Sequence, residues 1–104
     1  MDKRNDIIEK VNQYQTLVKQ SDFPMPIDAV YLFGSHAKGT ANKDSDIDVA
    51  LVVDRFEGDY FDIIPSIWRL REDIDFRIEP HVIARDTHYS GFLNEIQHTG
   101  IRVI

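Results

Sequence analysis

The chain has 104 residues, of which 42% are hydrophobic and 29% are charged, a balance typical of a globular domain and not of a disordered segment. Acidic residues outnumber basic ones by 18 to 12, and the net charge of −6 argues against strong non-specific binding to nucleic acid. With no cysteine, the chain can form neither a disulfide nor a cysteine-bound zinc site. No apolar run approaches the roughly 20 residues that span a bilayer. We therefore expect a single cytoplasmic domain over residues 1–104, with no membrane segment.

The first half of the chain alternates between helical and strand-like patterns. Helical spacing of apolar residues predicts a helix over residues 2–20. A short apolar run predicts a strand at Ala29–Phe33, and Ser35–Lys38 is expected to form a short helix. The polar stretch 40–45 is predicted to be a loop. Residues 46–53 form the clearest predicted strand, because β-branched and apolar residues follow two acids at its start.

A second long helix is predicted over residues 60–73. Its apolar residues recur at helical spacing, with Phe61 and Trp68 in the stripe that we expect to be buried. Pro65 interrupts this pattern, so it predicts either a kink or a helix that begins nearer Ile64.

The remaining segments complete an alternating order of helices and strands. Residues 74–83 are predicted to form a third strand, which Pro80 places at an edge of the sheet or marks with a bulge. A last helix is expected over 90–98 and a final short strand over 100–104. This order predicts an α/β (α+β) fold with a small mixed sheet flanked by helices.

Two acids, Asp46 and Asp48, stand at the start of the predicted strand 46–53. Side chains at i and i+2 of a strand point to the same face, about 7 Å apart at their Cα atoms. Two carboxylates held this way repel each other unless a cation lies between them, and carboxylate oxygens suit Mg²⁺. Two such ions about 4 Å apart can activate an attacking oxygen and stabilise a leaving pyrophosphate. The pair therefore predicts a magnesium centre.

The predicted strand Ala29–Phe33 runs directly into Gly34 and Ser35. A glycine there lets the backbone turn sharply and approach a ligand closely. A helix that begins at Ser35 presents free N–H groups to a phosphate, and the hydroxyl of Ser35 can add a hydrogen bond. Ser45 is a further residue that can reach a phosphate. Metal carboxylates on one strand and a phosphate cradle at the end of its neighbour together predict a nucleoside triphosphate site.

The segments Gly34-Ser35-His36-Ala37-Lys38-Gly39-Thr40 and Asp44-Ser45-Asp46-Ile47-Asp48-Val49 resemble the signature of the DNA polymerase β-like nucleotidyltransferase superfamily, and more narrowly its minimal bacterial and archaeal members. The resemblance implies Mg²⁺ and transfer of a nucleoside monophosphate, such as AMP from ATP. It places phosphate on Gly34 and Ser35, and metal on Asp46 and Asp48. The family often has arginines where this chain has His36 and Lys38, and Lys38 keeps the positive charge.

The resemblance also implies a third carboxylate on the next strand, as a metal ligand or as the base for the incoming hydroxyl. Strand alternation predicts a polar face and an apolar face for residues 74–83. The polar face carries Arg77, Glu79 and His81, and the apolar face carries Phe76, Ile78 and Val82. We favour Glu79 over Asp75, which stands nearer the strand start, where it can simply end the preceding helix. Glu79 can alternatively be no more than a salt-bridge partner of Arg77.

The four histidines, His36, His81, His88 and His98, show no spacing of a metal site on one helix. For His81 the sequence leaves open a contact with substrate or a purely structural role. None of the four is predicted to bind metal.

Similarity to the minimal nucleotidyltransferases also implies a partner. These proteins often act beside a HEPN-domain protein, a helical protein that is frequently a ribonuclease toxin, and can adenylylate one of its tyrosines. The alternative is a non-catalytic antitoxin or sensor that binds nucleotide and acts by protein contact. A small-molecule modifier is less favoured because such enzymes usually carry an additional helical domain. A homo-oligomer is left open.

Overall fold

The computed structural model describes residues 3–87 and 90–104. Met1, Asp2, His88 and Tyr89, which include the predicted start of the first helix and one histidine, lie outside the described residues. In chain order the elements are α1 (Arg4–Gln20), β1 (Ala29–Phe33), α2 (Ser35–Lys38), β2 (Ile47–Val53), α3 (Tyr60–Leu70), a single 3₁₀ turn (Arg71–Asp73), β3 (Ile78–Ala84), α4 (Ser90–Thr99) and β4 (Ile101–Arg102).

The four strands form one mixed sheet in the order β3-β2-β1-β4. β1 pairs antiparallel with β2 and with β4, whereas β2 and β3 run parallel. The prediction of a small mixed sheet flanked by helices is therefore confirmed. The end of β1 and the starts of β2 and β3 meet at one edge of the sheet, because Asp48 is the register partner of both Phe33 and Glu79.

Different helices cover the two faces of the sheet. Side chains of α1 and α3 pack with one set of strand residues: Ile7, Val11, Tyr14, Val18 and Ile67 with Val30, Leu32, Val49 and Leu51. Leu93 and Ile96 of α4 pack with the alternate set: Ala29, Tyr31, Ala50, Val52 and Ile83. Because alternate residues of a strand point to opposite faces, Asp48, Glu79 and His81 belong to the face that α4 covers.

The third predicted strand is wrong at its start, because β3 begins at Ile78 and not at residue 74. Asp75 accepts a hydrogen bond from the backbone N–H of Arg77, a local turn that competes with strand pairing. Phe76 consequently lies outside the strand and is 66% exposed, not on an apolar face. β3 does lie at an edge of the sheet, as Pro80 predicted.

The helix α3 also differs in detail from the prediction. It begins at Tyr60, where the carboxylate of Asp59 accepts a hydrogen bond from the N–H of Phe61, so the alternative start near Ile64 is wrong. Pro65 lies inside the helix. Phe61 is 84% exposed instead of buried, and Trp68 is half-buried against the core. In the described ranges, no helix has both the length and the apolar character that crossing a bilayer requires.

Tyr14 joins α1 to α3 through a buried hydrogen bond. Its hydroxyl donates to the carbonyl oxygen of Ile67 at 2.6 Å, and burial raises the pKa of this phenol well above its ordinary value. Tyr14→Phe leaves that carbonyl without its donor, so we expect the free energy of unfolding to fall by about 1–2 kcal/mol in urea denaturation. Tyr60→Phe, at a tyrosine that is 56% exposed, serves as control and should change it by less than about 0.5 kcal/mol. Equal effects of the two substitutions would contradict this role of the hydrogen bond.

Candidate active site

Two carboxylates and one imidazole converge where β2 and β3 begin. Asp48 and Glu79 are register partners on the parallel strands, and His81 lies two residues further along β3 on the same face. One ligand atom from each of Asp48, Glu79 and His81 can be chosen so that all three lie within 4.8 Å of one another. The sheet thus brings together side chains from two segments that are far apart in the chain.

Glu79 carries the electrostatic signature of this cluster. Its pKa is raised, first by burial and then by the negative charges of Asp46 and Asp48, with a hydrogen bond to Asp48 adding to the shift and His81 opposing it. Asp46 itself is exposed and precedes the first residue of β2. A buried carboxylate beside two further acids is chemically suited to a divalent cation, which would offset the negative charge.

Gly34 brings the main chain directly against one of these carboxylates. Its φ of 76° and ψ of −151° lie in a region that residues with a side chain rarely adopt. A Cβ atom built at this position would overlap Oδ2 of Asp48. A glycine is therefore required for the turn between β1 and α2 to pass this close to the acid.

The predicted short helix is confirmed as α2, which begins at Ser35 immediately after Gly34. Ser35 is half-buried at the start of this turn of helix, and Lys38 at its end is exposed. The next residue, Gly39, has left-handed backbone geometry and ends the helix. Because Phe33, the last residue of β1, pairs with Asp48, Gly34 and Ser35 lie at the same edge of the sheet as Asp48.

Ser45 orders the loop before β2. Its hydroxyl accepts a hydrogen bond from the N–H of Asn42 at 2.9 Å, and Nε2 of His36 lies 3.4 Å from its carbonyl oxygen. The guanidinium of Arg77 donates to the carbonyl of Lys43 at 2.9 Å in the same loop. These contacts fix the segment that leads into Asp46 and Asp48.

Asp75, the less favoured third acid, is held by cations. Its carboxylate accepts hydrogen bonds from the guanidinium of Arg77 at 2.7 and 3.0 Å and from Nζ of Lys10 at 2.8 Å. These contacts, the Arg77 guanidinium above all, hold the pKa of Asp75 well below its usual range. Its side chain is only 11% exposed, so the group links α1 to the turn before β3. Asp75 is therefore engaged in contacts that stabilise the fold, whereas Glu79 lies beside Asp48.

His81 is the site residue that sequence reasoning did not assign to metal. Its Nε2 lies 3.5 Å from Oδ1 of Asp48, and its ring packs edge-on against Phe33 at 5.3 Å between centroids. The spacing typical of a metal site on one helix does not identify His81, because this residue lies on β3. A strand places i and i+2 on one face, so the spacing of Glu79 and His81 was the signal available.

A mixed sheet with acids beside a Gly-Ser turn is the arrangement that the resemblance to enzymes that transfer nucleotides implies. A model of the family described as polymerase beta nucleotidyltransferase matches residues 5–104. The chain belongs to this family and is a nucleotidyltransferase.

Relatives agree with this assignment. A Methanocaldococcus jannaschii protein named "Putative protein adenylyltransferase MJ0141" is 30% identical over an alignment of 106 positions, which covers 94% of this chain and 99% of that one. A crystal structure described as a toxin-antitoxin with AMP-PNP has a TM-score of 0.64 at 19% identity, over 90% of this chain and 72% of that one. A crystal structure of a "putative nucleotidyltransferase" from Sulfolobus solfataricus has a TM-score of 0.59 at 23% identity, over 98% and 87%. These two structures share the fold.

Proposed function

We propose that this nucleotidyltransferase transfers AMP from ATP to a hydroxyl group of a protein, in a Mg²⁺-dependent reaction. The observation that carries the proposal is the convergence of Asp48 and Glu79 beside the Gly34 turn, with Asp46 close enough to raise the pKa of Glu79. The relative of nearly equal length that is named as a protein adenylyltransferase supports AMP as the group transferred and protein as the acceptor class.

In this proposal Asp46, Asp48 and Glu79 together bind two Mg²⁺ ions. Their carboxylate oxygens are the donor type that Mg²⁺ prefers, and the repulsion among them is the feature that a dication would relieve. Bound divalent ions would polarise the triphosphate and neutralise charge on the leaving pyrophosphate.

The residues of the chain position the triphosphate and move a proton. The backbone at Gly34 and the hydroxyl of Ser35 bind phosphate oxygens, while Lys38 and Ser45 add contacts from the ends of the flanking loop. The acceptor oxygen forms a bond to the α-phosphorus as the bond to the bridging oxygen of pyrophosphate breaks. Glu79 accepts the proton of the acceptor hydroxyl, because it is the carboxylate that β3 places beside Asp48.

We further propose a tyrosine of a HEPN-domain toxin as the acceptor, and thus a cytoplasmic antitoxin role. The supporting observation is the fold shared with a chain from a toxin-antitoxin structure that contains AMP-PNP. The same observation fits an antitoxin that binds nucleotide without transferring it, so the experiment must separate the two functions.

Label transfer from ATP tests the proposal. Purified protein is mixed with α-³²P-ATP and a candidate HEPN-domain partner, with Mg²⁺ or with EDTA. We expect Mg²⁺-dependent label on a partner tyrosine, lost in the Asp46→Asn/Asp48→Asn double variant. The matched control is Asp44→Asn, which removes an exposed acid from the same loop and should leave transfer unchanged. Transfer that survives the double variant would overturn the assignment of the acids. Neutralisation of the toxin without any label would favour the contact-only antitoxin.

A further inference from the structure

His81 lies beside Asp48 and Glu79 on one face of the sheet. It follows Glu79 by two residues on β3, and its register partner Ala50 follows Asp48 by two residues on β2. Asp48, Glu79 and His81 therefore line one face of these two paired strands. His81 Nε2 and Asp48 Oδ1 are 3.5 Å apart, within the roughly 4.2 Å that two ligands of one ion can span at bond lengths of about 2.1 Å.

The nitrogen of His81 that faces Asp48 lacks the hydrogen bond that a shielded polar atom normally makes. The side chain is 39% exposed overall, but Nε2 is shielded from solvent and has no hydrogen-bond partner among the described residues. Shielded polar atoms are costly unless they are satisfied, and a bound cation would satisfy this nitrogen beside two carboxylates. The edge-on contact with Phe33 supports the ring in this orientation.

We propose that His81 ligates the ion held by Asp48 and Glu79, and that this nitrogen makes the position prefer Mn²⁺, a first-row transition-metal ion, over Mg²⁺. Mg²⁺ favours an all-oxygen shell, whereas Mn²⁺ belongs to the first-row transition series that binds imidazole, although it too accepts carboxylate oxygens. A set of two carboxylates and one imidazole therefore discriminates between Mn²⁺ and Mg²⁺ in a way that three carboxylates do not. This inference rests on the metal-binding part of the proposed function and is independent of the acceptor.

The preference can be measured in the absence of nucleotide and partner. Electron paramagnetic resonance gives the dissociation constant for Mn²⁺, and displacement by Mg²⁺ gives the second constant. His81→Phe keeps an aromatic ring against Phe33 and removes both nitrogens. We expect this substitution to weaken Mn²⁺ binding by about 10-fold or more and Mg²⁺ binding by less than about threefold. His98→Phe, at an exposed histidine on α4, is the matched control and should change neither constant.

A spectroscopic signature separates ligation from a merely structural role. Electron spin echo envelope modulation of the Mn²⁺-bound wild-type protein should show ¹⁴N coupling from a histidine nitrogen, and His81→Phe should abolish it. Absence of ¹⁴N coupling in the wild-type protein overturns the inference even if the variant does not fold. Equal losses of Mn²⁺ and Mg²⁺ affinity in a folded variant overturn it as well.

The outcomes also distinguish this inference from the proposed function. If Asp48→Asn abolishes Mn²⁺ binding and His81→Phe leaves it intact, His81 is not a ligand and the carboxylate centre stands. If Mn²⁺ binds with the expected ¹⁴N coupling but no AMP is transferred to any protein, the inference stands and the acceptor assignment fails.

Discussion

Glu79→Gln is expected to lower the rate of AMP transfer by about 10²- to 10⁴-fold without lowering the stability of the protein. The amide keeps the size of the side chain, but it can neither accept the proton of the acceptor hydroxyl nor bind a cation with a negative charge. Label transfer at saturating Mg²⁺ measures the first effect, and thermal unfolding in EDTA measures the second.

The stability part follows from the direction of the Glu79 pKa shift. Burial and the neighbouring acids raise the pKa of Glu79 in the folded protein, so the folded state binds this proton more tightly than the unfolded chain does. The stability that this group contributes is full below its pKa in the unfolded chain, about 4.3. It is lost as the pH rises through its pKa in the folded protein. Once this contribution is lost, the carboxylate form of Glu79 opposes folding in the metal-free protein, so glutamine at this position should be neutral or stabilising.

Asp75→Asn is the matched control, because it makes the same chemical change at the less favoured acid. Because the pKa of Asp75 is lowered in the folded protein, its carboxylate stabilises the fold above its pKa in the unfolded chain, about 3.9. That contribution is lost as the pH falls through its pKa in the folded protein. We expect this substitution to cost about 1.5–3 kcal/mol of unfolding free energy near pH 7, less in acid, since it weakens charged hydrogen bonds to Lys10 and Arg77. Folded Asp75→Asn protein should retain transfer. Retained transfer in Glu79→Gln with loss in Asp75→Asn would reverse the assignment of the third carboxylate.

Gly34→Ala is expected to reduce both stability and transfer. An alanine would have a strained backbone at the φ of 76° and ψ of −151° that Gly34 adopts, at a cost of about 1–3 kcal/mol. It would also displace the carboxylate of Asp48, whose Oδ2 occupies the space of the added Cβ. Because a misplacement of about 1 Å can cost about 100-fold in rate, we expect transfer to fall by about 10- to 100-fold.

Gly39→Ala isolates the strain from the collision. Gly39 also has a positive φ, of 79°, but the nearest atom to its added Cβ is a guanidinium nitrogen of Arg4 at 3.8 Å, an ordinary contact. This variant should lose about 1–2 kcal/mol of unfolding free energy and keep its transfer rate at temperatures where it is folded. Equal losses of transfer in the two variants would show that Gly34 acts through the backbone alone and not through Asp48.

Local chemistry made the strongest elements and the motif readable from the sequence. β1 and α2 have the predicted bounds, and β2 begins within one residue of its prediction, because short apolar runs bounded by glycine and polar residues carry a clear local signal. The i and i+2 spacing of Asp46 and Asp48 and the Gly34 turn belong to the same local information. The roles of these residues in binding metal and phosphate stay predictions.

Tertiary structure decided which residues of the third strand reach the site. Asp75 and Glu79 have the same parity and the same chemistry, so sequence could only favour one of them. Arg77, and Lys10 from 65 residues away on α1, hold the carboxylate of Asp75, while parallel pairing with β2 brings Glu79 to Asp48. His81 joins them for the same reason, because strand register is a long-range property that no local pattern encodes. The sequence by itself thus determined the fold class and the acid pair Asp46 and Asp48, and packing between distant segments determined which side chains surround this pair.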